Sequence, residues 1–272
     1  MKTFLLAIFL SFGCIVFASD FGAYIGSEKK DVLASIESIA EKKTIVVEIE
    51  DFTKDDVDTL HKSGFEVFAY LNVGSVEKFR SYYKDFEAIT IDSYANWGEE
   101  FWVDVRQTSW QDFVVNTLAK NIVDKGADGF FLDNFDIYSQ FKIDAIFHAL
   151  SSILISLQKY DKKIIINGGD EAVSFLIRNG MSSFIFGVNQ ESVFSRIANY
   201  KTQHFKKQKA SVTKYFVDYL ESAKRAGLEV FVIEYAKNKS LRNYCEKECE
   251  KRGYRYFISK DLELTIEKEA NK

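Results

Sequence analysis

From Phe21 almost to the end of the chain, short apolar runs alternate with longer amphipathic stretches. The runs predict strands at Phe21–Gly26, Thr44–Glu50, Glu66–Val73, Trp102–Arg106, Gly129–Asp133, Lys163–Asn167, Phe184–Asn189, Glu229–Tyr235 and Tyr254–Ser259. Several are apolar without interruption, such as Ile45-Val46-Val47, Phe130-Phe131-Leu132 and Ile164-Ile165-Ile166. Such runs suit parallel strands covered on both faces. Between them lie helical stripes. Lys142–Tyr160 places Ile143, Ile146, Leu150, Ile153, Leu154 and Leu157 on one face. Ser109–Lys125 opens on a serine cap and stops at Gly126; Thr53–Ser63 stops at Gly64 and Ser211–Ala226 at Gly227.

Strand–helix alternation over this length implies an α/β protein, either a (β/α)8 barrel or a doubly wound sheet. No Gly-x-Gly-x-x-Gly follows the first strand, which weakens a dinucleotide-binding fold. The expectation is one domain over residues 19–272, a single (β/α)8 TIM barrel. Nine strand candidates compete for eight places, so one lies outside the barrel. Residues 75–100, rich in aromatic and charged side chains, form an unusually long connection of the kind that often binds ligands.

The N-terminal stretch is set apart. Lys2 precedes an apolar run from Phe4 to Phe17, and Val16-Phe17-Ala18 resembles a signal-peptidase site. The run is short for a membrane span. A signal peptide over residues 1–18 and a secreted or periplasmic protein are expected, with an N-terminal anchor helix as the alternative. The 36 Lys and Arg against 40 Asp and Glu give a net charge of -4, so nucleic acid is not an expected partner, and no membrane is expected after cleavage. Cys245 and Cys249 lie one helical turn apart, either free or as a local disulfide; they do not supply the four ligands of a structural zinc site.

In a parallel barrel the chemistry collects at the C-terminal strand ends. Candidates there are Tyr24; Glu48 and Glu50; Tyr70, Asn72 and Gly74; Asp104 and Arg106; Asp133, Asn134 and Asp136; Asn167, Gly168, Gly169, Asp170 and Glu171; Asn189, Gln190 and Glu191; and Glu234 with Tyr235. The three histidines, His61, His148 and His204, fall elsewhere, which argues against a Ser-His-Asp machine or a histidine-rich metal site. Neither a metal nor a cofactor is expected. Carboxylates with amides and aromatics suit sugar cleavage, in which one acid protonates the leaving oxygen and a second carboxylate attacks or activates water. Asp133 and Glu191 each end an apolar run, so burial would raise a carboxyl pKa as a general acid requires. Asp170 and Glu171 instead read as the first turn of a helix. Glu48 and Glu50 either alternate outward or join an acidic cleft.

The order of several motifs resembles glycoside hydrolase family 114, the endo-α-1,4-polygalactosaminidase-like proteins, in its bacterial and archaeal extracellular branch. The matching pieces are Tyr70-Leu71-Asn72-Val73-Gly74 with Glu77 and Arg80, then Trp97-x-x-Glu100-x-Trp102-Val103-Asp104-Val105-Arg106. Gly129-Phe130-Phe131-Leu132-Asp133-Asn134-Phe135-Asp136-x-Tyr138, Asn167-Gly168, Asn189-Gln190-Glu191 and Glu234-Tyr235 follow. The resemblance implies a secreted, endo-acting and retaining hydrolase of an α-1,4-linked galactosamine-containing polysaccharide. It implies Asp133 as nucleophile and Glu191 as acid/base. Tyr70, Asp104, Asn134 and Asp136 fall on positions that the resemblance expects to line the sugar site; Tyr24, Asn72, Asn167, Glu234 and Tyr235, at the same strand ends, are further substrate-binding candidates. Where the family often ends its second strand in aspartate, this chain reads Glu48-Ile49-Glu50. The rival reading is a carbohydrate-binding barrel without turnover, at the cell surface or in the extracellular matrix.

Overall fold

A computed structural model describes residues 19–267 except Asn96. The expected signal peptide lies outside these residues. Eight parallel strands stand side by side in sequence order: β1 (Phe21–Tyr24), β2 (Thr44–Val47), β3 (Glu66–Asn72), β4 (Gly129–Asp133), β5 (Lys163–Asn167), β6 (Gly187–Glu191), β7 (Glu229–Tyr235) and β8 (Arg255–Ser259). Helices between consecutive strands cover the outside, giving the (β/α)8 TIM barrel. β1 and β8 lie together at a seam. There Arg255 of β8 reaches across, donating to Asp20 and to Thr44 of β2, each at 2.7 Å.

Both faces of the strands are buried, as their uninterrupted apolar runs require. In β4, Phe130 turns outward onto Tyr160, ring centroids 6.2 Å apart, while Phe131 and Asp133 turn inward by strand alternation. The lower lumen is filled rather than open: Phe21 packs on Phe231 at 4.9 Å and Phe68 on Phe186 at 6.2 Å. Each fully buried phenylalanine contributes about 1.5–3 kcal/mol. Outside, Thr53 and Asp56 close a capping box on Lys54–Lys62, and Asn238 caps Lys239–Arg252.

Two expectations are corrected. Trp102–Arg106 is not a barrel strand. Glu100–Val103 is instead the middle strand of a small antiparallel sheet, between Ser75–Glu77 and Thr90–Ser93. β3 pairs directly with β4, Asn72 opposite Asp133, so the barrel has no place for it. Hydrophobic pattern cannot separate the two outcomes, because the short apolar run Phe101-Trp102-Val103 fits either ladder. Tyr254–Ser259, the ninth candidate, closes the barrel as β8. The seventh candidate starts late: Ser182–Phe184 forms a 3-10 turn, and β6 runs on to Glu191. A hairpin, Ser195–Asn199 with His204–Lys207, follows it. Cys245 and Cys249 are buried free thiols.

Candidate active site

Strand register assembles the site. Tyr70 and Asn72 of β3, Asp133 of β4, Asn167 of β5, Glu191 of β6 and Tyr235 of β7 occupy alternate, lumen-facing positions at the upper strand ends. Asn167 joins the two acids. Its Nδ2 donates to Asp133 Oδ1 at 2.8 Å and to Glu191 Oε1 at 3.0 Å. Asn189 donates to Asn167 Oδ1 at 2.6 Å, which fixes the amide orientation. Tyr70 donates its hydroxyl to Asp133 Oδ2 at 3.0 Å, and Tyr235 donates to Glu191 Oε2 at 2.5 Å. Every carboxylate oxygen of the pair thus receives a donor.

Burial pushes the Asp133 carboxyl up to about 8, with the charges of Glu191 and then Glu100 adding to it, against the opposing Asn167 bond. Burial also raises the hydroxyls of Tyr70 and Tyr235, beside Asp133 and Glu191 respectively. Both remain donors across the working pH range.

The backbone after Asp133 turns sharply. Asn134 holds a left-handed φ of 66°, and its carbonyl passes so close to Gly74 that a Cβ there would lie 2.0 Å from the oxygen. Asn134 Nδ2 donates to Asn72 Oδ1 at 3.0 Å, Ser75 Oγ at 2.7 Å and Glu100 Oε1 at 2.9 Å. Asp136 lies one step behind. It accepts from the Gly169 N–H at 2.7 Å and braces the left-handed Gly168-Gly169 turn; burial pushes it up to about 6.

The remaining candidates sit away from this group. Tyr24 follows the lumen-facing Phe21 and Ala23 with opposite parity, and it packs into the seam against Phe257 at 5.3 Å. Glu234 points out of the barrel, accepting from the N–H groups of Phe194 and Ser195 at 2.7 and 2.6 Å beside Cys245. Asp104 follows the antiparallel strand and is tied to Arg106 at 2.6 Å and Gln107 at 3.0 Å. Glu48 and Glu50 bind the buried Arg80 at 2.6 and 2.8 Å, with Glu77 on the same guanidinium.

Three residues were missed. Glu100 reaches the site from the small sheet; its place in the tryptophan-flanked motif was the available signal. Tyr94, in the aromatic connection, stacks on Trp102 at 4.3 Å, and its hydroxyl is raised by burial and by the charges of Asp133, Asp136, Glu100 and Glu191. Tyr200, on the hairpin after β6, is raised by burial and by Glu191.

Two facing carboxylates on a TIM-barrel rim, with amides between them and tyrosines around them, narrow the family sharply. The model of glycoside-hydrolase family GH114 matches residues 34–270. This chain belongs to that family and is a glycosidase. The glycoside hydrolase domain of PelA from Pseudomonas aeruginosa has the same fold, with a TM-score of 0.77 at 18% identity over 91% of this chain and 96% of that one. Aspergillus fumigatus Ega3, solved in complex with galactosamine, gives 0.70 at 14% identity over 93% and 95%. The trehalose-6-phosphate hydrolase of Bacillus licheniformis is more distant, at 0.53, 11% identity and 82% and 58% coverage. No curated protein matches the chain.

Proposed function

We propose that this GH114 glycosidase is a secreted, endo-acting, retaining hydrolase of an α-1,4-linked galactosamine-containing polysaccharide. Asp133 is the nucleophile and Glu191 the acid/base. The observation that carries this reading is the shared amide of Asn167. Both acids are within hydrogen-bond reach of one nitrogen, at 2.8 and 3.0 Å. One shared donor keeps their facing oxygens close together, which supports the roughly 5–5.5 Å spacing of a retaining pair. In the first step Glu191 gives its proton to the leaving glycosidic oxygen while Asp133 Oδ attacks the anomeric carbon. In the second, Glu191 takes a proton from water as that water displaces Asp133.

Charge supports the amino sugar. Asp133, Glu191 and Glu100 bear on one buried space, and burial together with the two neighbouring charges makes the Asp133 carboxyl hold its proton to higher pH. A protonated amino sugar supplies the neutralising charge instead, leaving Asp133 ionised for attack and the proton for Glu191. Ega3, the neighbour bound to galactosamine, supports the same class. Tyr94 and Tyr200 offer ring faces to neighbouring sugars. Export rests on the apolar run Phe4 to Phe17.

The test is incubation of the purified protein with partly deacetylated α-1,4-galactosaminogalactan, following new reducing ends, product size and anomeric configuration. Release of oligosaccharides with retained configuration, absent in Glu191→Gln, is expected. No release from this polymer removes the substrate assignment. Inverted product removes Asp133 as nucleophile.

A further inference from the structure

Glu100 is a carboxylate beside the pair that the two-acid reaction does not use. It comes from outside the barrel, on the middle strand of the small sheet inserted between β3 and β4. Its Oε1 accepts from Asn134 Nδ2 at 2.9 Å, from Asn72 Nδ2 at 3.2 Å and from the hydroxyl of Ser75. Asn134 directly follows Asp133 and holds the left-handed φ of 66°. Asparagine is one of the few non-glycine residues that adopt that conformation, and hydrogen bonds from its side chain help hold it there. Here the side-chain amide is gripped by three acceptors, of which Glu100 alone carries a charge.

We propose that Glu100 is a positioning residue for Asp133: it clamps the Asn134 turn that aims the Asp133 carboxylate, and it places a negative charge beside the catalytic pair. The inserted sheet, otherwise a mere excursion, thereby becomes part of the catalytic apparatus. This rests on the assignment of Asp133 and Glu191 made above.

The second half of the proposal is electrostatic. Asp133 is faced by Glu191 from β6, Glu100 from the inserted sheet, Tyr70 from β3 and Tyr94 from the aromatic connection. Glu100 is faced in turn by Glu77, whose charge is shared with Arg80. A negative charge beside the pair makes it hold its proton to higher pH. Removing that charge lowers both macroscopic steps of the pair.

The decisive variant is Glu100→Gln, whose amide oxygen still accepts from Asn134 while the charge is gone. The titration of Asp133 is followed by carboxyl 13C NMR in protein labelled at aspartate, the signal being assigned by its loss in Asp133→Asn. In Glu100→Gln the midpoint falls by about one pH unit. In Glu99→Gln, an exposed neighbour, it stays in place. An unmoved midpoint in Glu100→Gln overturns the electrostatic role whether or not any polymer is cleaved. On the polymer, the kcat/KM profile of Glu100→Gln moves to lower pH by the same amount. Glu100→Ala, which also releases the clamp, loses about 100-fold in kcat with KM little changed, and the glutamine variant restores most of that loss. A folded Glu100→Ala with wild-type kcat overturns the clamp. Wild-type protein inert on the polymer removes the substrate reading alone, since the titration needs no substrate.

Discussion

Glu191 and Glu234 stand at comparable heights on neighbouring strands, both close to a tyrosine, the first half-buried and the second buried. One faces the lumen and the other the helices. Glu191 meets Asn167 and Tyr235 in a space that opens to a ligand. Glu234, fully buried, meets the N–H groups of Phe194 and Ser195, the Ser195 side chain and the thiol of Cys245, and so holds the chain leaving β6 against the barrel wall. One residue of register separates chemistry from architecture, because successive side chains on a strand point to opposite faces.

The comparison breaks first on activity. Asp133→Asn should abolish cleavage while near- and far-ultraviolet circular dichroism stay those of the wild type. Glu191→Gln should cost about 10²–10⁴-fold in kcat on substrates with poor leaving groups. If either variant retains full turnover, the lumen-facing pair is not the machinery. The pH profile sharpens it. The active form of the pair holds one proton, and the upper step lies near Asp133's value of about 8. The alkaline limb of kcat/KM should therefore fall near pH 8, and it should do so before any loss of structure.

Glu234 should respond in stability instead. Glu234→Gln leaves one buried N–H without an acceptor, a cost of about 1–3 kcal/mol in denaturant unfolding. The sign with pH is definite. Burial pushes Glu234 up to about 7, above its unfolded value, so its contribution is greatest in acid and is lost as the pH rises through about 7. The glutamine variant should lack that slope. The smallest effect belongs to Asp104→Asn. With its carboxylate tied to Arg106 and Gln107 on the surface, the change should shift stability by no more than about 0.5 kcal/mol and leave kcat/KM in place.

How far the sequence reached depended on the range of the interaction involved. The apolar runs of β2, β4 and β5 and the glycine stops of the helices are local signals, and the barrel was legible from them. Asp133 and Asn167 could be placed at strand ends because β4 and β5 have sharp boundaries. Trp102–Arg106 was misplaced because an apolar run carries no record of its partner. Glu234 and Tyr24 were put in the site because strand ends were judged by height alone, without face. Glu100 was overlooked because its role depends on Asn134, thirty-four residues later in the chain.

The sequence by itself determined the strand–helix alternation of a barrel, most of its strands, the acids at their upper ends, and the family. These follow from periodicity, end signals and motif order, which are properties of short stretches. Only the tertiary structure decided which acids face one another. That required the register of five strands and an inserted sheet to be set together, so that one amide of Asn167 could reach two carboxylates and Glu100 could reach back to the turn after Asp133.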